Sequence, residues 1–249
     1  MSSPPPPPSS SSSSSSAPPQ QQPRSSGRRD EAQSGQRARS DHNVRLSKGL
    51  SYLLRHGASK EGVTLRPDGF ARLDAVLSLP RFRQYSLEDI KQVVAHNDKQ
   101  RFTLRQDSDI AAEDLTGWWI RANQGHSLVV EALELVPITE ASELVTLVHG
   151  TYRQHWRSIE RQGLRRMNRN HIHLATGLPG EGGVISGMRA SSQVYIYVDA
   201  AKAMADGIVF LRSANNVILT TGKDDAGVLP ACYFSRVVDR DGTVLLDRA

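Results

Sequence analysis

From Val44 onward apolar residues return every three or four positions: Leu46, Leu50, Leu53 and Leu54 form the stripe of an amphipathic helix. Asp41 or Asn43 is placed to cap it and Gly57 to stop it. Asp68-Gly69 predicts a turn. A second helical stretch then runs from Phe70 to Leu79, with Leu73, Val76 and Leu77 inward and Pro80 closing it. A third helix opens at Ser86, where Asp89 makes a capping-box variant and Leu87, Ile90, Val93 and Val94 line one face. The period then changes from helix to strand. Arg101–Leu104 and Gly117–Ala122 read as short strands around an acidic loop holding Asp107, Asp109, Glu113 and Asp114. Three helices followed by a hairpin predict a winged-helix lobe over residues 43–136, a shape common among nucleic-acid binders.

After a polar connection, Pro137 to Ser142, strand patterns dominate residues 143–249. They cover Leu144–His149, His171–Ala175, Val194–Val198, Ile208–Leu211, Val217–Thr220, Cys232–Val237 and Val244–Leu246, with helical stretches only at Tyr152–Gln162 and Ala200–Ala205. The fold class is therefore α+β: a helical lobe, then a mostly β lobe. Residues 1–42 follow neither pattern. They hold four apolar side chains (Met1, Ala17, Ala32, Ala38), eight of the 13 prolines and an unbroken serine run from Ser9 to Ser16. Such a segment buries too little apolar surface to offset its ordering entropy, which predicts a disordered tail.

Composition narrows the class. No apolar run is long enough to span a membrane, and the apolar-poor start lacks a signal-peptide core. The single cysteine, Cys232, excludes a disulfide framework and fits an intracellular, reducing location, cytoplasm or nucleus. A formal charge of +5 and a sequence pI near 9.5 lean toward a polyanionic partner.

Several short motifs carry chemistry. Arg55-His56-Gly57 matches the tripeptide of histidine phosphatases, but there the histidine follows a buried strand, whereas here it closes a helix whose dipole favours a cation pair. His149-Gly150-Thr151 ends a strand and starts a helix, where backbone N–H groups and a hydroxyl can receive an anion or a carboxamide. His171 and His173 share one face of a strand and raise a metal site with His149 or Cys232 as third ligand; no carboxylate or second cysteine supports it, and the reading is no metal. Gly180-Glu181-Gly182-Gly183 lacks the strand and helix of a dinucleotide fingerprint and reads as a flexible loop.

The ordered set LSKGLSYLLRH (46–56), DKQRFTL (98–104), IRANQGHS (120–127), HGT (149–151), MNRNHIHLA (167–175), SGMRASSQVYIYVDA (186–200) and VLP (228–230) closely resembles the RNA (tRNA) 2′-phosphotransferase family. The resemblance spans about residues 43–237, leaving the Ser/Pro tail outside.

That resemblance implies an ADP-ribosyltransferase-like second lobe and an enzyme that moves an internal RNA 2′-phosphate, as at a tRNA splice junction, to NAD. It implies a 2′-phospho-ADP-ribosyl RNA intermediate, with nicotinamide and ADP-ribose 1″,2″-cyclic phosphate as products. The family's phosphate-binding set falls on Arg55, His56, Arg101 and Arg169. Its NAD residues fall on His149, Gly150, Thr151, His173, Arg189 and Ser191. Asn123 and His126 fall near the RNA phosphate or between the lobes. Val228 stands where related protein-modifying enzymes keep a glutamate, which suits a nucleophile that arrives ionised. The implied partners are 2′-phosphorylated RNA, tRNA above all, and NAD, with no metal and no membrane. ADP-ribosylation of terminal phosphates or of protein, and RNA binding without catalysis, are the alternatives.

Overall fold

The computed structural model describes residues 27–181, 184, 186–224 and 226–248, with side chains from residue 40 onward. Two units are distinct, Met1–Asp41 and His42–Ala249. In the first, the backbone is helical from Gly27, which corrects the tail expected to reach residue 42; residues 1–26 lie outside the described residues. Beyond Pro23 this stretch has no proline and is rich in Arg, Gln and Ala, good helix formers that extend a nucleated helix at little cost.

The helix α1 (Gly27–Tyr52) passes Asp41 and Asn43 without a break, so neither caps it. Leu46 and Leu50 are fully buried, and Leu53 and Leu54 follow into the core through a π turn, Leu53–Gly57. Gly57 does not stop the chain. Helical geometry continues through a 3₁₀ turn, Ser59–Glu61, until Gly62 adopts φ 72° and ends it.

Gly69, at φ 83°, makes the expected turn. Phe70 to Arg72 depart from the helical expectation: Ala71–Arg72 forms β1, and α2 (Leu73–Ser78) starts only after it. Ala71 and Arg72 pair with Ile120 and Trp119, so a tertiary strand partner outweighs the local period. The next helix, α3 (Leu87–Ala95), begins as the sequence predicts: Ser86 Oγ accepts the Asp89 N–H, and Asp89 accepts the Ser86 N–H. Two antiparallel strands, β2 (Phe102–Gln106) and β3 (Trp118–Ala122), complete a sheet in the order β1-β3-β2. Its inner face and the helices share one core, with Leu46, Leu50, Phe82, Ile90 and Ile120 buried. The acidic loop between β2 and β3 is held by its own carboxylates: Asp107 accepts the Trp119 indole N–H and Asp114 the Thr116 N–H.

The rest of the chain builds a second core. Its elements are β4 (Leu135–Ile138), β5 (Val148–Thr151), α4 (Arg153–Gln162), β6 (Leu164–Arg165), β7 (Ile172–Leu174), β8 (Val194–Val198), α5 (Ala200–Ala205), β9 (Phe210–Ser213), β10 (Ile218–Thr220), β11 (Val228–Leu229), β12 (Phe234–Asp239) and β13 (Val244–Asp247). Two four-stranded sheets form, β4-β9-β10-β7 and β13-β12-β8-β5, with β6 and β11 paired apart. Ile172, Leu174, Ile196, Phe210, Ile218 and Phe234 are buried in this core. β4 falls partly where a polar connection is expected, because Pro137 is tolerated on the edge of a sheet. The strand expected from Leu144 begins only at Val148.

The two sheets meet through their edge strands at one point. Val148 and Ala175 exchange N–H···O bonds of 2.9 and 2.8 Å, and beyond them β5 and β7 part. Replacing Leu50, fully buried in the first core, with alanine should lower the unfolding free energy by about 2–5 kcal/mol, whereas Val145→Ala at a 93 % exposed position should change it by less than about 0.5 kcal/mol. Urea denaturation of both variants checks this.

Candidate active site

The π turn after α1 aims Arg55 and His56 into a cleft of about 1180 Å³ lined by both cores. A π turn carries one residue more than an α turn, which lets Leu53 and Leu54 stay in the core while the next two side chains turn out of it. The turn is tied to the segment after β3: the Arg55 carbonyl accepts the N–H groups of Ser127 (3.0 Å) and Leu128 (3.3 Å). Ser127 Oγ also donates to that carbonyl at 3.4 Å and stands 2.9 Å from His56 Nδ1. His56 is thus held through Nδ1, which leaves Nε2 for the cleft. Arg55 Nε and Nη2 are buried with no partner in the protein. Burial, then the charges of Arg101 and Arg169, push this guanidinium down to about 10.

Arg101 sits at the end of the turn leading into β2. Asn97 Oδ1 accepts from Arg101 Nη1 at 2.9 Å and so aims the guanidinium. Asn123 does not line the cleft; its Nδ2 donates to Gln100 O (2.7 Å) and its Oδ1 accepts from Thr103 (2.6 Å), bracing the Gln100 backbone at φ 43° beside Arg101. Arg169 comes from the second core. Its neighbour Asn170 donates its N–H to His126 O (3.0 Å) and its Nδ2 to Leu128 O (2.9 Å), so the loop after β3 sets the place of Arg169. His126 itself lies under the cleft, 2 % exposed, with both ring nitrogens unpartnered. Burial first, then Arg55 and His56, push it down to about 4.

Where β5 and β7 part, His149, Gly150, Thr151 and His173 line the same cleft. His149 donates Nδ1–H to His173 O at 2.8 Å, and His173 stands with Nδ1 3.1 Å from His171 O and Nε2 2.8 Å from the Gln124 amide. Because Val148 bonds away from β8 to Ala175, the strand alternation turns the Gly150 N–H and C=O to that side too, toward the gap. A side chain at Gly150 would force its neighbours aside: its Cβ would stand 2.6 Å from Ser192 Oγ and 2.9 Å from Met188 Sδ. Arg189 reaches the cleft beside Tyr152, its guanidinium 5.8 Å from that ring. Ser191 does not line the cleft; it holds Tyr152 through a 3.0 Å hydroxyl contact.

Ten of the twelve residues singled out from the sequence are thus accounted for at the cleft or directly beneath it, while Asn123 and Ser191 brace neighbours from outside. Val228 pairs with Arg165 and is not part of the lining. Sequence reasoning missed Gln124, Lys99 and Arg166. Gln124 lay inside a quoted motif, but only the fold shows it facing His173. Lys99 donates to Met188 O at 3.1 Å and so links the two cores. Among the described residues no Asp or Glu lines the cleft, and no group of three or more His, Cys, Asp or Glu is arranged to hold a metal ion. Such a site attracts a multiply charged anion.

The buried imidazoles make stability depend on pH. Burial pushes His173 down to about 3 and His126 to about 4, so the unfolded chain takes up protons below pH 6.5 that the folded chain refuses. Stability should be full above pH 6.5 and fall as pH drops toward 5, by at most about 2 kcal/mol per histidine. Asp89 and Asp241, held below the usual carboxylate range by backbone N–H groups, contribute only below about pH 4 and leave this window clean. Chemical denaturation at pH 7 and pH 5 should show the loss, and His126→Gln should remove only its own share, because His149, His171 and His56 are lowered by burial as well.

The family described as RNA 2′-phosphotransferase, Tpt1 / KptA family, matches residues 41–222. The chain is 51% identical to tRNA 2′-phosphotransferase 1 of Mus musculus over 214 residues, 85% of this chain and 84% of that one. It is 51% identical to tRNA 2′-phosphotransferase 1 of Danio rerio over 216 residues, 86% and 92% of the two chains. With the tRNA 2′-phosphotransferase of Saccharomyces cerevisiae it shares 42% identity over 189 residues, 72% and 79% of the two. A cleft built from arginines and histidines, matched across nearly the whole folded chain, places this protein in the RNA 2′-phosphotransferase family.

Proposed function

We propose that the cleft takes the 2′-phosphate from an internal position of RNA, such as a tRNA splice junction, and passes it to NAD as co-substrate. The observation that carries this reading is the convergence of Arg55, Arg101 and Arg169 with two Arg55 nitrogens unpartnered and no carboxylate in the lining. Crowded guanidinium groups repel one another, and a phosphate dianion relieves that repulsion while satisfying their planar forks. His56, aimed by Ser127, offers a nitrogen that can share a proton with the phosphate as its charge changes. The relatives named tRNA 2′-phosphotransferase support RNA as the phosphate carrier.

The residues at the parting of β5 and β7 fit NAD. The Gly150 N–H and C=O offer a matched donor and acceptor for a carboxamide, Tyr152 an aromatic face, and Arg189 a cation for a pyrophosphate. His173 stays neutral throughout the physiological range and so does not repel a cationic nicotinamide ring. When bound, NAD supplies a glycosidic carbon from which nicotinamide departs and a ribose hydroxyl to receive the phosphoryl group. The chain's own part is positioning and charge. The arginines first orient the 2′-phosphate, which is already ionised and needs no general base; Val228, apolar and outside the lining, offers none. They then stabilise negative charge as it builds on the phosphoryl oxygens and the RNA 2′-oxygen leaves. The helices with the β1-β3-β2 sheet support a winged-helix reading of the first lobe, and the parted sheets an ADP-ribosyltransferase-like second lobe.

A 2′-phosphorylated oligonucleotide incubated with and without NAD tests the reading. Loss of the 2′-phosphate only with NAD, with nicotinamide released, supports it; release of inorganic phosphate without NAD would replace it with a phosphatase, and binding without turnover with an RNA-binding protein. In the same assay Arg169→Lys should cut kcat/KM by at least about 100-fold, because an ammonium keeps the charge but not the two-pronged hold.

A further inference from the structure

Arg166 belongs to none of the functions assigned so far, yet it is held in place. It opens a tight turn closed by the Arg169 N–H on its carbonyl at 3.1 Å, and its own N–H donates to Gly227 O, also at 3.1 Å. Its side chain lies across Gly227, where an added Cβ would stand 2.4 Å from Arg166 Nε and 2.8 Å from Cδ. Gly227 has φ 63°, so both the backbone and the space demand glycine there. At its far end Nη1 reaches Arg169 O at 3.5 Å. Arg166 lines the cleft, and among the described residues no carboxylate lies within ion-pair distance of it. Its stem is fixed by this turn while the side chain lines the cleft, so it is placed to meet an anion there.

The chemistry of the substrate says what it binds. On a ribose the 2′ and 3′ oxygens sit on adjacent carbons, so an internal 2′-phosphate always has a phosphodiester as its immediate neighbour. Two anions held that close call for two cations equally close. Arg166 and Arg169 open and close one four-residue turn and both line the cleft, so one short segment supplies two cations, while a terminal phosphate presents only one of the two anions. We propose, building on the phosphotransfer reading, that Arg166 binds the 3′-phosphodiester flanking the 2′-phosphate and thereby selects internal over terminal phosphates.

Binding can be read without turnover, by fluorescence anisotropy of two 2′-phosphorylated oligonucleotides that differ only at the flanking linkage: a phosphodiester, or its uncharged methylphosphonate analogue. The unaltered protein should prefer the charged linkage by about tenfold, and Arg166→Gln should reduce that preference to less than about twofold. Its affinity for the phosphodiester oligonucleotide should also lose about 0.7 from the slope of log affinity against log salt, one single-strand phosphate contact. Arg161→Gln, on the exposed end of α4 and outside the cleft, should keep the full preference. An Arg166→Gln protein that discriminates as well as the parent would overturn the proposal, as would a parent indifferent to the linkage. A rise in the KM for NAD with that for RNA unchanged would overturn it too and assign Arg166 to the co-substrate. Absence of NAD-dependent phosphate loss in the unaltered protein would strike the earlier reading, and the paired oligonucleotides would still report on Arg166.

Discussion

The cleft exists because two separately packed cores are held in register by a few hydrogen bonds around the segment 123–128. Through Ser127 and Leu128 this segment takes the carbonyl of Arg55; through the carbonyls of His126 and Leu128 it takes the backbone and side chain of Asn170; through Gln124 it takes His173. Lys99 adds a fourth link, donating to Met188 O while its own carbonyl accepts from Asn215. Each bond contributes only about 1 kcal/mol, yet together they decide whether arginines from two cores face one point or two. Polar side chains buried at such a seam specify geometry more than they add stability.

That geometry opposes ordinary electrostatics. Arg55 and Arg101 lose hydration by burial, Arg55 is further lowered by Arg101 and Arg169, and Lys99 is lowered by burial and then by Arg101. Several cations elsewhere on the chain find carboxylates, as Arg72 does in Asp74 and Arg153 in Asp239. The cleft does not, and the missing counter-charge is what a phosphorylated substrate brings. The same logic explains the neutral histidines beneath it: an imidazole surrounded by guanidinium groups and shielded from water keeps its proton off.

Much of this was legible in the sequence, for identifiable reasons. The Ser86 box and the Leu46–Leu54 stripe are local patterns that tertiary structure had no cause to override. Phe70 to Arg72 misled because their strand partner lies about fifty residues away, and Leu135–Ile138 because a proline at position 137 reads as a break until it is known to lie on a sheet edge. For the site, an ordered series of motifs drew attention to Arg55, Arg101 and Arg169 together, although they sit on three unrelated elements. No motif could separate Asn123, spent on holding the Gln100 turn, from Gln124, which faces the cleft beside it; that depends on which way each side chain leaves the end of β3.

The π turn gives the chain an unusual genetic vulnerability. Within Leu53–Gly57 the extra residue is what allows two leucines and two cleft residues to follow one another in sequence. An in-frame loss of one codon there would restore the 3.6-residue period and swing everything downstream by about 100°. No amino acid would need to change type for Arg55 to leave the cleft. In this segment length, rather than composition, is the conserved quantity to expect, and single-residue deletions should behave as null alleles where many substitutions do not.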